Sequence, residues 1–282
     1  MSSTTLARTA GDRDVAATRA TTPRPTRRRP DLRRWISPVT IVLLWQLASS
    51  TGVLAEDELA SPVRVVTAAI DVTVSGELPE GLLVSLGRVA LGLVLGLTVG
   101  VTLGLVSGLS RWGGHLVDPP VQMLRTLPHL GLVPLFILWF GVGELPKVLL
   151  VALGVLFPMY LNVHAGVRGV DPKLLEAASV SGFTPAERLR HVVLPGAMPS
   201  TLTGLRLALG IAWLSIIVAE TTAADAGLGY MIMNAREFLR TDVIVVGLAV
   251  YALLGLTTDA LVRRLERTVL AWRPAGPAGA DR

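Results

Sequence analysis

The chain contains no cysteine, which removes disulfides and every Cys-ligated metal site from consideration. It is also poor in charge. Asp, Glu, Lys and Arg make up 17% of its 282 residues, against about a quarter in an ordinary soluble domain. No Gly-x4-Gly-Lys-Ser/Thr phosphate loop occurs, so the chain lacks that means of binding and hydrolysing ATP. There is no His-Glu-x2-His pair and no His/Asp/Glu cluster at metal-ligand spacing. Ser110 and His115 share a short polar stretch without an acid to orient them, and they read as solvated residues. Together these absences argue against a nucleotide hydrolase, a metalloenzyme and a serine hydrolase. No catalytic residue, metal or cofactor is expected.

What the chain has instead is apolar sequence in long blocks. Hydrophobic residues make up 51% of it and the mean hydropathy is +0.58. Six stretches are almost free of charge: Ile36–Ala55, Val89–Ser110, Thr126–Gly143, Val148–Val167, His191–Ala219 (broken only by Arg206) and Val243–Thr258. A helix crosses the hydrocarbon core of a bilayer with roughly 17 to 25 apolar residues. Gly, Ala, Leu and Val dominate the blocks, and small residues let membrane helices approach closely. The pattern predicts an all-α, polytopic protein with six transmembrane helices in a plasma or inner membrane. The net charge of +5 does not point to nucleic acid, because the excess sits in the tails, chiefly Arg24, Arg27, Arg28, Arg29, Arg33 and Arg34. Arginines beside a first span are topology determinants held in the cytoplasm.

With that end inside, the loops alternate as the positive-inside bias requires. The first loop, about 56 to 80, carries Glu56, Asp57, Glu58, Asp71, Glu77 and Glu80 against Arg64 alone. The inner loops hold Arg111 and Arg125, then Arg168, Lys173, Arg188 and Arg190; the C-terminal end holds Arg263, Arg264, Arg267 and Arg273. Both termini are then cytoplasmic. Residues 1–34 read as a disordered tail rich in Arg, Pro and Thr, residues 35–272 as the transmembrane domain, and residues 273–282 as a C-terminal tail. Trp35, Trp112 and Trp272 flank span ends and suit interfacial anchors.

One polar segment fills the fourth loop, on the inner side. Asp171-Pro172 starts a helix, with Asp as the cap and proline preorganised at the first position. Gly182 stands where a left-handed residue would end it. Thr184-Pro185-Ala186-Glu187 then opens a second helix with a capping box, expected to stop near Leu194 because Pro195 and Pro199 follow. The spacing predicts a rigid helix–turn–helix over 171–195 with mixed charge, unlike the one-sidedly basic face of a membrane-surface helix. It suits docking of a soluble partner.

Within this segment, Glu176-Ala177-Ala178, Gly182 and Val192-x-Leu194-Pro195 resemble the signature EAA-x3-G-x9-I-x-LP of ABC-importer membrane subunits, with Val192 in place of Ile. Ser85-Leu86-Gly87-Arg88, Arg125-Thr126-Leu127-Pro128, Leu138-Trp139-Phe140-Gly141, Ala165-Gly166-Val167-Arg168 and Gly227-Leu228-Gly229-Tyr230 look like the nitrate/sulfonate/taurine branch of these permeases. The resemblance covers most of 35–272. It implies the type I importer permease fold and cytoplasmic ABC ATPase subunits engaged through Glu176, Ala177, Ala178, Gly182, Leu194 and Pro195. It also implies an extracytoplasmic substrate-binding protein and a second copy of the chain, with the pathway at their two-fold interface. The solute it implies is a small anion: an aliphatic sulfonate, taurine or nitrate, with a thiamine-precursor pyrimidine as the alternative among close relatives.

Polar groups inside spans often face a pathway or a partner helix. His129, Asn162 and Glu220 are the candidates. Glu220, about 20 residues past Pro199, is expected at the outer boundary as an interfacial carboxylate, since a helix rises about 1.5 Å per residue. A secondary transporter driven by an ion gradient is the rival reading. It calls for inverted repeats or broken helices with intramembrane acids, and no clear internal repeat is present.

Overall fold

The structure, a computed structural model, describes residues 33–55 and 58–272. Of the expected tails over 1–34 and 273–282, residues 1–32 and 273–282 lie outside the described residues, as do the acids Glu56 and Asp57 and the side chain of Trp35, while Arg33 and Arg34 already belong to the first helix. All regular structure among the described residues is helical: α1 Arg33–Ser50, α2 Pro62–Val74, α3 Glu77–Leu109, α4 Arg111–Leu124, α5 Val133–Phe140, α6 Glu144–Arg168, α7 Pro172–Val180, α8 Pro185–Arg188, α9 Leu194–Ala223, α10 Leu228–Glu237 and α11 Thr241–Val269. The chain divides at Val42 into two units. Up to Val42 only the opening of α1 is described. From Leu43 onward the residues form a helical bundle.

Glycine sets the packing of that bundle. Along α3, Gly92, Gly96, Gly100, Gly104 and Gly108 recur every fourth residue and so lie on one face. A methyl group on each would stand within 3 Å of α6, meeting Val151, Val155, Met159, Val163 and Val167 in that order. Only glycine lets the two backbones come this close. Both series ascend together, so α3 and α6 run parallel. The chain between them must therefore return along the whole length of the bundle.

That return is the element where the structure departs most from the sequence reading. Instead of a straight span over Thr126–Gly143, α4 and a stretch of α5 preceded by a 3-10 turn at His129–Leu132 are bent by 79° at a short break. Pro128 at the break and Pro134 in the first turn of α5 account for it. Neither has an N–H to donate, and the residue before a proline is pushed out of helical geometry.

The remaining directions follow from contacts. Gly154 and Gly166 of α6 face Ser215 and Ala197 of α9, and Gly204 of α9 faces Pro158 and Asn162, an antiparallel order. Trp213 and Glu220 of α9 meet Thr258 and Tyr251 of α11, again antiparallel. The starts of α3 and α6, the end of α9 and the start of α11 therefore share one end of the bundle. The polar segment at 171–195, Arg111 and the close of α11 share the other. Helices α3, α6, α11 and the continuous run Pro185–Ala223 are each long and apolar enough to cross a membrane, and the bent pair makes a fifth candidate.

Candidate functional site

The polar segment is closed by hydrogen bonds that are local in sequence, with Leu175, Leu189 and Val192 packed against the bundle core. The Asp171 side chain accepts the Lys173 N–H at 2.9 Å, with Pro172 next to it at the helix start. The close of α7 is a Schellman turn: the Phe183 N–H donates to the Ala178 carbonyl at 3.0 Å and the Gly182 N–H to Ser179 at 3.1 Å. Gly182 has φ of +81°, a conformation in which a side chain is disfavoured by about 1 kcal/mol. Thr184 and Glu187 form the expected capping box, Thr184 N–H to Glu187 at 2.8 Å and Glu187 N–H to Thr184 Oγ1 at 3.3 Å. Arg188 then ties the two helices by donating to Ser179 Oγ at 3.0 Å.

What this knob shows to its surroundings is equally specific. Glu176 and Ala177 are exposed, Ala178 is buried, and Glu176 makes no hydrogen bond or ion pair among the described residues. Val180, at 89% exposure, projects from the end of α7.

The expected stop near Leu194 does not occur. A π turn at Leu189–Val193, with the Leu194 N–H reaching back to the Leu189 carbonyl, carries α8 into α9, giving one helical run from Pro185 to Ala223. Proline breaks an α-helix because its ring meets the carbonyl four residues back. The extra residue in the π turn widens that region immediately before Pro195, so Leu194 and Pro195 lie within the helix rather than at its end.

At the far end of α9 stands a feature the sequence reading did not assemble. Glu220 is 1% exposed. Its carboxylate accepts from Arg88 Nη1 at 2.7 Å, Ser85 Oγ at 2.8 Å, the Gly229 N–H at 2.9 Å and Tyr251 OH at 3.1 Å. Arg88, with only 4% of its side chain exposed, also donates to the Ala226 carbonyl at 2.6 Å and, through Nε and Nη2, to both oxygens of Glu144 at 2.5 and 2.6 Å. Lys147 completes the set at 3.1 Å from Glu144. Two cations thus balance two anions across α3, α6 and α9. The same groups satisfy the first amides of α10, which have no partner in their own helix: the Leu228 N–H donates to Ser85 Oγ at 2.9 Å and Gly229 to Glu220. Gly227, with φ of +115°, has no room for a Cβ, which would stand 2.5 Å from Glu220 and 2.7 Å from Arg88.

The three proposed pathway residues are not brought together. Glu220 is not an interfacial carboxylate: both of its oxygens are taken inside the protein, and it presents no surface to a pathway. His129 is half-buried at the break between α4 and α5, with Nε2 3.3 Å from Ser215 Oγ, in space left by Gly154. Asn162 faces Gly204 of α9 while its amide donates to the Pro158 carbonyl of its own helix at 2.8 Å. It lies about 12 Å from Gly154 along α6 at 1.5 Å per residue. The residues missed by sequence reasoning are Arg88, Ser85, Glu144, Lys147 and Tyr251. Arg88 carried a usable signal, a charge bordering an apolar run, but with the span placed from Val89 it fell just outside.

Comparison with known proteins agrees with this architecture. Residues 92–271 match the family described as binding-protein-dependent transport system inner membrane component. The chain is 53% identical over 241 residues to the putative aliphatic sulfonates transport permease protein SsuC of Escherichia coli, covering 86% of this chain and 92% of that one. It is 33% identical to the taurine transport system permease protein TauC of the same organism, covering 82% and 86%. Among solved structures, a crystal structure of an amino acid ABC transporter with histidines shares the fold, with a TM-score of 0.57 at 23% identity over 67% of this chain and 92% of that chain. A helical bundle of membrane-crossing length and these matches lead to one assignment: the chain is a multi-pass inner-membrane protein, not itself an enzyme, and belongs to the binding-protein-dependent permease family of ABC transporters, in its nitrate, sulfonate and taurine branch.

Proposed function

We propose that the chain is the translocation subunit of an ATP-driven importer for a small aliphatic sulfonate. It works as a pair of identical copies, fed by an extracytoplasmic binding protein and driven by cytoplasmic ATPase subunits. On this reading α1 is a sixth crossing, both termini are cytoplasmic, and the knob at 171–195 lies on the ATPase side. The strength of the match to the aliphatic sulfonate permease favours a sulfonate over taurine, nitrate or a pyrimidine.

The observation that carries the proposal is the continuity of α8 and α9. A push on the knob is delivered to a helix that runs unbroken from Pro185 to Ala223. Glu220 sits about 39 Å beyond Leu194 at 1.5 Å per residue, where it is bound to α3, α10 and α11. Displacement of the knob therefore tilts a braced group of helices rather than bending a loop. His129 and Asn162, half-buried between α6 and α9, remain the polar groups proposed to meet the solute.

The test is reconstitution of the full chain with its ATPase and binding protein in liposomes. Glu176→Ala or Gly182→Ala should leave assembly of the permease intact and lower both ethanesulfonate uptake and binding-protein-stimulated ATP hydrolysis at least tenfold. Uptake and stimulation at wild-type levels in both variants would refute the coupling role. Wild-type uptake of taurine or nitrate in preference to ethanesulfonate would refute the substrate.

A further inference from the structure

A second polar region, unconnected with the buried network, lies at the knob end of the bundle. A groove of about 410 Å³ opens between α4 and the last turns of α6, lined by Arg111, Gly114, His115, Asp118, His164 and Arg168. Its cations are almost uncommitted. Arg111 makes no hydrogen bond or ion pair among the described residues, and Arg168 has one long contact, 3.4 Å from Nη2 to the Ser107 carbonyl. Its carboxylate, by contrast, is already engaged: Asp118 Oδ1 accepts from Tyr160 OH at 2.8 Å and from Gln122 Nε2 at 3.1 Å, and it forms no ion pair with either arginine.

The rest of the groove is built to hold these groups in place. Ser107, fully buried, lies 2.7 Å from His164 Nδ1, and the imidazole stacks on Tyr160 with centroids 5.8 Å apart. The ring is thus fixed, and its other nitrogen has no hydrogen-bond partner among the described residues. Gly114 provides the room in which the Arg168 guanidinium lies against α4, since a Cβ there would stand 3.2 Å from Nη2. Two guanidinium forks outnumber the single carboxylate of Asp118, which is tied to Tyr160 and Gln122 rather than to either arginine, and leave a pocket of net positive potential. Forked N–H donors match the spacing of oxygens on phosphate or sulfonate.

We infer that this groove is a binding site for a tetrahedral oxyanion, the phosphate of an anionic phospholipid headgroup or the sulfonate of a small solute, held chiefly by Arg111 and Arg168. Beside it Trp112 and Leu116 are 78% and 72% exposed, and an aromatic and an aliphatic side chain next to a basic pocket suit the boundary of an anionic leaflet. The inference rests on the permease reading only for placing the groove at a membrane face. Oxyanion binding itself requires neither transport nor an ATPase, so the two can fail separately.

The test uses the full-length chain. Retention of phosphatidylglycerol is measured by native mass spectrometry after extraction from phosphatidylcholine nanodiscs containing it. Binding of ethanesulfonate and inorganic phosphate is measured by calorimetry in a nonionic detergent. At least one of the three probes should bind, and the double variant Arg111→Gln/Arg168→Gln should weaken it at least tenfold. Asp118→Asn, which removes the neighbouring negative charge while keeping an acceptor for Tyr160, should tighten it about threefold. Loss confined to phosphatidylglycerol identifies the headgroup; loss confined to ethanesulfonate and phosphate identifies a soluble anion. Binding of no probe by the wild type, or equal binding by the double variant, overturns the site.

Discussion

At one end of the bundle Arg88, Glu144, Lys147 and Glu220 reach one another from three helices, with sequence separations of 56 between Arg88 and Glu144 and 132 between Arg88 and Glu220. At the other end Glu176, Lys173 and Arg190 face outward, and the helix–turn–helix that carries them is closed by contacts spanning nine residues or fewer. The first arrangement consumes its charge internally and locks α3, α6, α9, α10 and α11 together. The second leaves the charge of Glu176, Lys173 and Arg190 unspent and is closed by its own short-range hydrogen bonds, while Leu175, Leu189 and Val192 seat it against the bundle core. Under the proposed coupling role, a part gripped and moved by another protein needs local rigidity and free surface. A part that must turn that motion into a concerted tilt needs long-range cross-links. The continuous helix Pro185–Ala223 joins the two.

The largest effect that would test this contrast is at Arg88. Removing it in Arg88→Ala leaves the fully buried Glu220 carboxylate without its cation, a change of the kind that costs about 3–5 kcal/mol. The variant should lose most of its folded population in detergent, read as a large drop in thermal midpoint or as aggregation on size exclusion. An Arg88→Ala protein melting within a degree or two of wild type would show that the buried network is not what binds the helix ends together. A smaller loss is expected at Gly96→Ala. The added methyl would meet the Ala152 carbonyl at 2.5 Å, so the α3 and α6 backbones must part, an overpacking cost of about 1–3 kcal/mol. Gly87→Ala on the same helix, where a Cβ meets nothing within 4 Å, is the control and should melt like wild type.

The same contrast explains what could be read from the sequence. The knob was legible down to its caps because Asp171, Gly182, Thr184 and Glu187 act on their own neighbours, and local chemistry is written in local sequence. Four of the six apolar blocks correspond to helices long enough to cross a membrane, α3, α6, α9 and α11, for the same reason. The buried network was not legible: nothing near Glu220 announces that Arg88, 132 residues earlier, lies 2.7 Å away. Pro195 looked like a stop because the π turn that accommodates it has no simple sequence mark. Three helices, α2, α4 and α10, fall where the sequence pattern predicts loops. In α2 the apolar set Val65, Ala68, Ala69 and Val72 does fall at helical spacing, but over only 13 residues it was outweighed by the acids around it. In α10 the first turn depends on Ser85 and Glu220 for its partners, so its start is a tertiary fact.

The smallest expected effect sharpens the comparison from the knob side. Thr184→Ala removes one half of the capping box and costs about 1 kcal/mol of local stability. Because α7 and α8 are held by their own short-range bonds, the loss should stay there. Amide exchange over residues 184–189 should quicken about fivefold, as a loss of about 1 kcal/mol in local opening implies, while the amides of Leu228 and Gly229 at the opposite end exchange as in wild type and the thermal midpoint of the bundle does not move. Coupling should suffer out of proportion to stability, since a frayed α8 yields before it transmits force to α9, and ATP hydrolysis should respond more weakly to loaded binding protein. If Leu228 and Gly229 instead exchanged faster in step with the knob, the two ends would be one cooperative unit and the division between a locally folded handle and a cross-linked brace would fail.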